Sequence, residues 1–164
     1  MAAPIQLLVL DTSSLLRVRE LFGKSHERTV LSGLSRLVAA HELIFPPEVL
    51  VELERGGGAS PDTALLWARR IQNDAQARAD LGTVKAVLAK VPDLIDADSP
   101  HEQADPYVLA LAIDQKGLGL VPVTIVTEDR KDKPTKTSLA TAAGLHHLST
   151  IPIHALVRAQ GWIK

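Results

Sequence analysis

Short apolar runs alternate with longer stretches of helical periodicity from one end of the chain to the other. Ile5 to Leu10 is continuously apolar and stops at Asp11-Thr12-Ser13-Ser14. Continuity without alternation predicts a strand buried on both faces of a parallel sheet, and the polar cluster predicts its exit and a helix start. Helices are expected over Leu15–Gly23 and Glu27–His41, the second with Leu31, Leu34, Leu37 and Val38 on one face. A short strand follows at Leu43–Phe45. Pro47 then suits the first turn of a helix over Glu48–Glu54, which ends at Gly56-Gly57-Gly58, read as a flexible loop beside a site. Further helices are expected at Pro61–Gln72 and Leu81–Val91, and a polar, acidic loop at Pro92–Gln103. Ala104-Asp105-Pro106 opens an apolar helix, Tyr107–Ile113, that Lys116-Gly117 ends. Val123–Thr127, rich in β-branched residues, predicts a central strand. After it come a basic loop, Lys131–Lys136, a helix at Leu139–Ala143, a strand at Leu145–Leu148 and a terminal helix at Ile153–Gln160.

Strands alternating with helices, with no hairpin between them, predict an α/β fold with a mostly parallel sheet and right-handed crossovers. No repeat or linker divides the 164 residues, so one domain over 1–164 is expected. Apolar residues at 46% and charged residues at 23% are those of an ordinary globular chain. Aromatics at 3% leave little for a base-stacking surface, and the lack of cysteine excludes thiolate chemistry and cysteine-held zinc. Met1 to Leu10 carries no basic leader and no apolar run approaches a bilayer span, so a cytoplasmic protein with no membrane partner is expected. The net charge of −1 gives no overall basic signature of nucleic-acid binding.

Candidate chemistry lies in acids at element ends. Asp11 and Asp129 leave strands, where open parallel sheets bind ligands. Glu52 sits beside the apolar stripe of its helix, and Asp105 stands at a helix N-terminus. Carboxylates brought together repel, and a divalent ion removes that cost; oxygen ligands suit Mg²⁺ or Mn²⁺. Each acid taken alone has a plainer role. Asp11 and Asp105 could cap helices, the commoner role for an Asp-Pro pair, Glu52 could be solvated, and Asp129 could be a turn residue. Arg130, Lys131, Lys133 and Lys136 could hold phosphates beside such a pocket, and Arg17, Arg19, Lys24 and Arg28 form a second basic stretch; solvated surface is the plainer reading of both. His146, His147 and His154 fit no metal spacing and are expected near a strand end. Gly56-Gly57-Gly58 lacks the Lys of a phosphate-binding loop, no Gly-x-Ser-x-Gly elbow exists, and Ser13 stands where a haloacid-dehalogenase phosphatase needs its second acid.

Four segments in register resemble the PIN-domain family. Leu8-Val9-Leu10-Asp11-Thr12-Ser13 matches its first motif, Phe45-Pro46-Pro47-Glu48-Val49-Leu50-Val51-Glu52-Leu53 its second, Ala104-Asp105-Pro106-Tyr107-Val108-Leu109-Ala110-Leu111-Ala112 its third and Ile125-Val126-Thr127-Glu128-Asp129 its fourth. The Ala-Asp-Pro start and the tail from Thr137 to Trp162 look most like small bacterial PIN proteins of the DUF4411 type, similar to VapC-like toxins. The resemblance implies a three-layer α/β/α sandwich and a Mg²⁺- or Mn²⁺-dependent endoribonuclease. It implies Asp11, Glu52, Asp105 and Asp129 as catalytic metal ligands, with Thr12 or Ser13 supporting Asp11 and with Thr127 and Glu128 close by. Glu128 and Asp132 compete with Asp129 for the fourth place. RNA as substrate, a silencing antitoxin and a homodimer are the implied partners. A PIN module that binds RNA or a protein without cutting is the alternative.

Overall fold

A computed structural model describes residues 6–56 and 62–164. Four parallel strands form one sheet: β1 (Leu7–Leu10), β2 (Leu43–Ile44), β3 (Val123–Val126) and β4 (Ser149–Ile151), in the order β2-β1-β3-β4. Every residue of β1 is buried, as its unbroken apolar run requires of a strand with neighbours on both edges and cover on both faces. Leu10 lies opposite Val126, so β1 and β3 end side by side. The chain runs from β1 to β2 on one flank and later returns to β3 on the other. The reversal of strand order therefore falls between β1 and β3, the place where an open α/β sheet forms a crevice at its carboxyl edge.

The helices are α1 (Thr12–Ala39), α2 (Pro47–Gly56), α3 (Thr63–Ala75), α4 (Leu81–Lys90), α5 (Asp105–Leu118), α6 (Leu139–Leu145) and α7 (Ile153–Gln160). α1 packs against α2, α3 and α7, whereas α5 packs against α4, α6 and the strands β1 and β3. Two such groups are compatible with a helix layer on each face of the sheet. One hydrophobic cluster runs through all of it, with Trp67, Phe45, Leu8 and Leu109 among its fully buried members. Trp67 Nε1–H is satisfied by Ser35 Oγ at 2.8 Å, so the largest core side chain leaves no orphan donor. None of the helices is long and apolar enough to cross a membrane among the described residues.

The two expected helices in the first third are both present, and α1 spans them across a kink at Gly23. Gly23, at φ 77°, breaks the helical geometry of α1 in a conformation that a β-carbon would strain. Arg19 and Glu27 close the bend from either side, with Nε to Oε2 at 2.6 Å; Arg19 also reaches Thr63 on α3 at 3.0 Å. Burial pushes the Glu27 acid up, but the Arg19 and Thr63 hydrogen bonds and the Arg19 charge outweigh it and hold it below the usual range. Arg19 is thus a structural clamp and not part of a free basic face. A second close approach lies at Gly33, where an added β-carbon would stand 2.3 Å from the Trp162 ring. Absence of a side chain there lets the Trp162 ring pack against α1.

Several boundaries differ from expectation. α1 starts at Thr12, three residues early, directly after the strand exit. α3 runs from Thr63 with Asp62 Oδ1 accepting from Leu65 N–H at 2.8 Å; Pro61, Gly57-Gly58 and Ile5 lie outside the described residues. The loop expected at Pro92–Gln103 opens with a short 3₁₀ turn, Pro92–Leu94, that buries Leu94. α5 runs on past Lys116-Gly117 and ends at Gly119, in the left-handed region. The last strand is not Leu145–Leu148. α6 extends to Leu145, His147 turns the chain at φ 57°, and β4 forms from Ser149-Thr150-Ile151, the next segment with β-branched residues. The turn is fixed by two lysines on the helix-end carbonyls, Lys90 on Leu145 O at 3.0 Å and Lys116 on His147 O at 2.8 Å. His146 and His147 therefore belong to a helix end rather than a strand end.

Candidate active site: a carboxylate cleft at the sheet edge

The two central strands deliver their exits to the same point. Asp11 follows β1 and its N–H donates to Val126 O at 3.0 Å, which fixes it against the end of β3. Although it occupies the position before α1, its side chain makes no capping bond. Instead Oδ2 accepts from Ser13 Oγ at 2.6 Å and from Thr127 Oγ1 at 2.7 Å. Ser13 Oγ in turn accepts the Glu128 N–H at 2.9 Å, and Thr127 Oγ1 accepts the Asp129 N–H at 3.0 Å. The hydroxyls thus tie both strand exits into one network around a carboxylate that is 1% exposed.

Thr12 does not serve Asp11. Its hydroxyl donates to Glu52 Oε1 at 2.5 Å, and so orients the acid that α2 contributes. Asp105 is the first residue of α5, with Ala104 in the capping position and no side-chain cap. The helix-cap reading of the Asp-Pro pair is therefore replaced by a different contact: Asp105 Oδ2 accepts from Lys136 Nζ at 2.8 Å. Asp129 Oδ2 accepts from the same Nζ at 2.9 Å and from the Leu139 N–H at 2.9 Å.

The competitors for the fourth acid have other work. Glu128 turns its side chain away and accepts the Ile153 N–H at 2.6 Å, capping α7; only its backbone N–H supports the site. Asp132 accepts the Ser138 N–H at 2.8 Å and holds the start of α6, and that bond, with those of Thr141 and Ser138, keeps its acid below the usual range. Lys136 corrects the sequence reading most. It was expected among phosphate-binding loop residues, yet its ammonium points into the acids, with a side chain only 17% exposed. Arg130, Lys131 and Lys133 do remain on the exposed surface.

Asp11, Glu52, Asp105 and Asp129 line one cleft of about 420 Å³, together with Lys133, Lys136 and the loop Ser99–Gln103. Arg55, Leu16, His101 and that loop are lining residues that no motif marked. A second groove of about 620 Å³ shares Ser13, Leu16, Asp129 and Lys133 with it and adds Arg17, Glu128, Arg130 and Lys131. Basic side chains thus flank the acids on one side.

Crowding shows in the acids themselves. Burial, helped by the charges of Glu52 and Asp129, raises Asp11 to about 6 against the hydrogen bonds of Ser13 and Thr127. Burial and the charges of Asp11 and Asp129 push Asp105 up to about 8 despite Lys136. An acid raised in the folded state stabilises the fold fully below its unfolded value near 4 and loses that contribution as pH rises through the folded value. His146, held low by burial first and then by Lys90 and His147, works in the opposite direction, but its change is almost complete by about pH 7. Without divalent ions, the thermal midpoint should therefore fall as the pH rises from about 4 to about 8, and in the stretch from about pH 7 to pH 8, where His146 no longer contributes, Asp105→Asn should flatten the slope. Calorimetry in EDTA across that range checks this; an unchanged or steeper fall in the variant contradicts it.

The oxygen donors fit a hard divalent ion: carboxylates and hydroxyls from four separate places in the sequence, whose mutual repulsion the Lys136 ammonium relieves only in part. Among the described residues no three His, Asp or Glu side chains already stand as a metal-binding group. Between Asp105 and Asp129 the Lys136 ammonium supplies positive charge instead. No protein-family model matches the chain, and no curated protein matches it either.

Proposed function

We propose that this protein is a divalent-metal-dependent endoribonuclease of PIN-like three-layer architecture. The observation that carries the reading is the meeting of Asp11, Glu52, Asp105 and Asp129, from four places in the sequence, in one cleft at the strand-order reversal. In this reading the four carboxylates hold Mg²⁺ or Mn²⁺, which when bound would lower the pKa of a water and stabilise charge on a phosphodiester. Ser13 and Thr127 keep the Asp11 carboxylate aimed, and Thr12 does the same for Glu52. Arg17, Arg130, Lys131 and Lys133 bind phosphates of the strand on one side of the scissile bond. Through the family resemblance the reading extends to a toxin silenced by a protein antitoxin, and to a homodimer.

One observation favours a second reading. An ammonium already paired with two of the acids is also what a metal-free module that binds RNA without cutting would keep. Single-stranded RNA incubated with the purified protein separates the two. Internal cleavage is expected in Mn²⁺ and none in EDTA. Binding with no cleavage in either supports the module and overturns the nuclease.

A further inference from the structure

We propose that Lys136 is a built-in counterion that replaces a second divalent ion, so that the cleft takes one divalent ion and not two. This rests on the nuclease reading above and deepens it by fixing the stoichiometry of the site.

Lys136 is held in place rather than left free. Lys133 and Lys136 exchange backbone hydrogen bonds, N–H to O, at 2.8 and 3.2 Å, which closes a tight turn over Pro134-Thr135. On the next residue, Thr137 N–H donates to Asp93 O at 2.7 Å, and Ser138 N–H is bound by Asp132. The segment is therefore anchored immediately around the lysine. Its ammonium meets one oxygen of Asp105 and one of Asp129, and its position between them is the one a bridging cation would take. Lys131 and Lys133 in the same loop are exposed, so the inward course of Lys136 is specific to that residue.

Charge balance points the same way. With all four carboxylates ionised on a bound metal, one divalent ion and Lys136 together leave the cleft with a single net negative charge. A second divalent ion beside Lys136 would leave it positive, and Nζ already occupies the span between Asp105 and Asp129 that such an ion would bridge. Two-ion sites place their ions roughly 3.5–4 Å apart on shared carboxylates, and here the span between Asp105 and Asp129 already holds a cation.

Titration calorimetry with Mn²⁺ alone, in the absence of RNA, tests this on the whole chain. The wild-type protein should bind one ion. Lys136→Met should bind two, and Lys136→Gln, closer in polarity, should do the same. Lys131→Met should still bind one. Circular dichroism confirms that each variant is folded before the count is made. Two ions on the wild-type protein overturn the proposal without any variant. So does a single ion on folded Lys136→Met or Lys136→Gln. No ion on the wild-type protein or on any variant overturns the nuclease reading itself, and the proposal with it, whereas one ion on every form removes only the proposal.

Discussion

Asp11→Asn should abolish RNA cleavage, by at least about a thousandfold, while leaving the protein as stable as before or more so without metal. The two effects have one cause. The Asp11 carboxylate is fully buried, and its charge faces those of Glu52, Asp105 and Asp129. An asparagine removes that charge and its desolvation cost, and its carbonyl can still accept from Ser13 and Thr127. What it loses is a negative oxygen for a cation, which at several kcal/mol of transition-state stabilisation accounts for about three decades of rate. Cleavage assays and thermal melts with and without Mn²⁺ check this together. The Mn²⁺-induced rise in melting temperature should shrink along with activity. Wild-type cleavage by the variant would show that the cleft is not the site. Loss of activity with collapse of the fold would show that Asp11 is structural.

Adjacent acids should behave in opposite ways. Asp129→Asn should cost activity on the scale of Asp11→Asn, whereas Glu128→Gln should cut at close to the wild-type rate but melt earlier. Glu128 Oε1 takes the Ile153 N–H at the start of α7, where a negative charge also meets the positive end of the helix. Loss of that charge weakens a cap worth about 1 kcal/mol, and the Ser13 contact, made by the Glu128 backbone, survives the substitution. Asp129 faces the cleft and shares Lys136 with Asp105. The pair is measured by cleavage rate against melting temperature. Activity lost in Glu128→Gln and kept in Asp129→Asn would exchange their roles.

These two residues show where sequence patterning was enough and where it was not. The strand Val123–Val126 is legible from its β-branched run, and so is the acidic exit after it. Which of two neighbouring acids turns inward depends on α7, whose first N–H captures Glu128 from 25 residues away. Asp11 was marked by its place after a buried strand, but the sheet order that sets it beside Thr127 comes from tertiary packing. Asp105 read locally as a helix cap because Asp-Pro commonly is one; its partner, Lys136, stands 31 residues on. Lys136 itself carried the opposite signal. Its basic neighbours made it one of a phosphate-binding group, and nothing in composition records that the turn at Pro134-Thr135 points one lysine inward. The misplaced last strand has a similar origin, since the lysines that fix the end of α6 come from α4 and α5.

The most direct measurement is anomalous diffraction from a crystal soaked in Mn²⁺. A manganese peak is expected in the cleft, within about 2.0–2.2 Å of oxygens from Asp11 and at least one other of the four acids. A cleft that stays empty at saturating Mn²⁺, or a peak bound elsewhere on the surface, would contradict the reading of these carboxylates as a metal site.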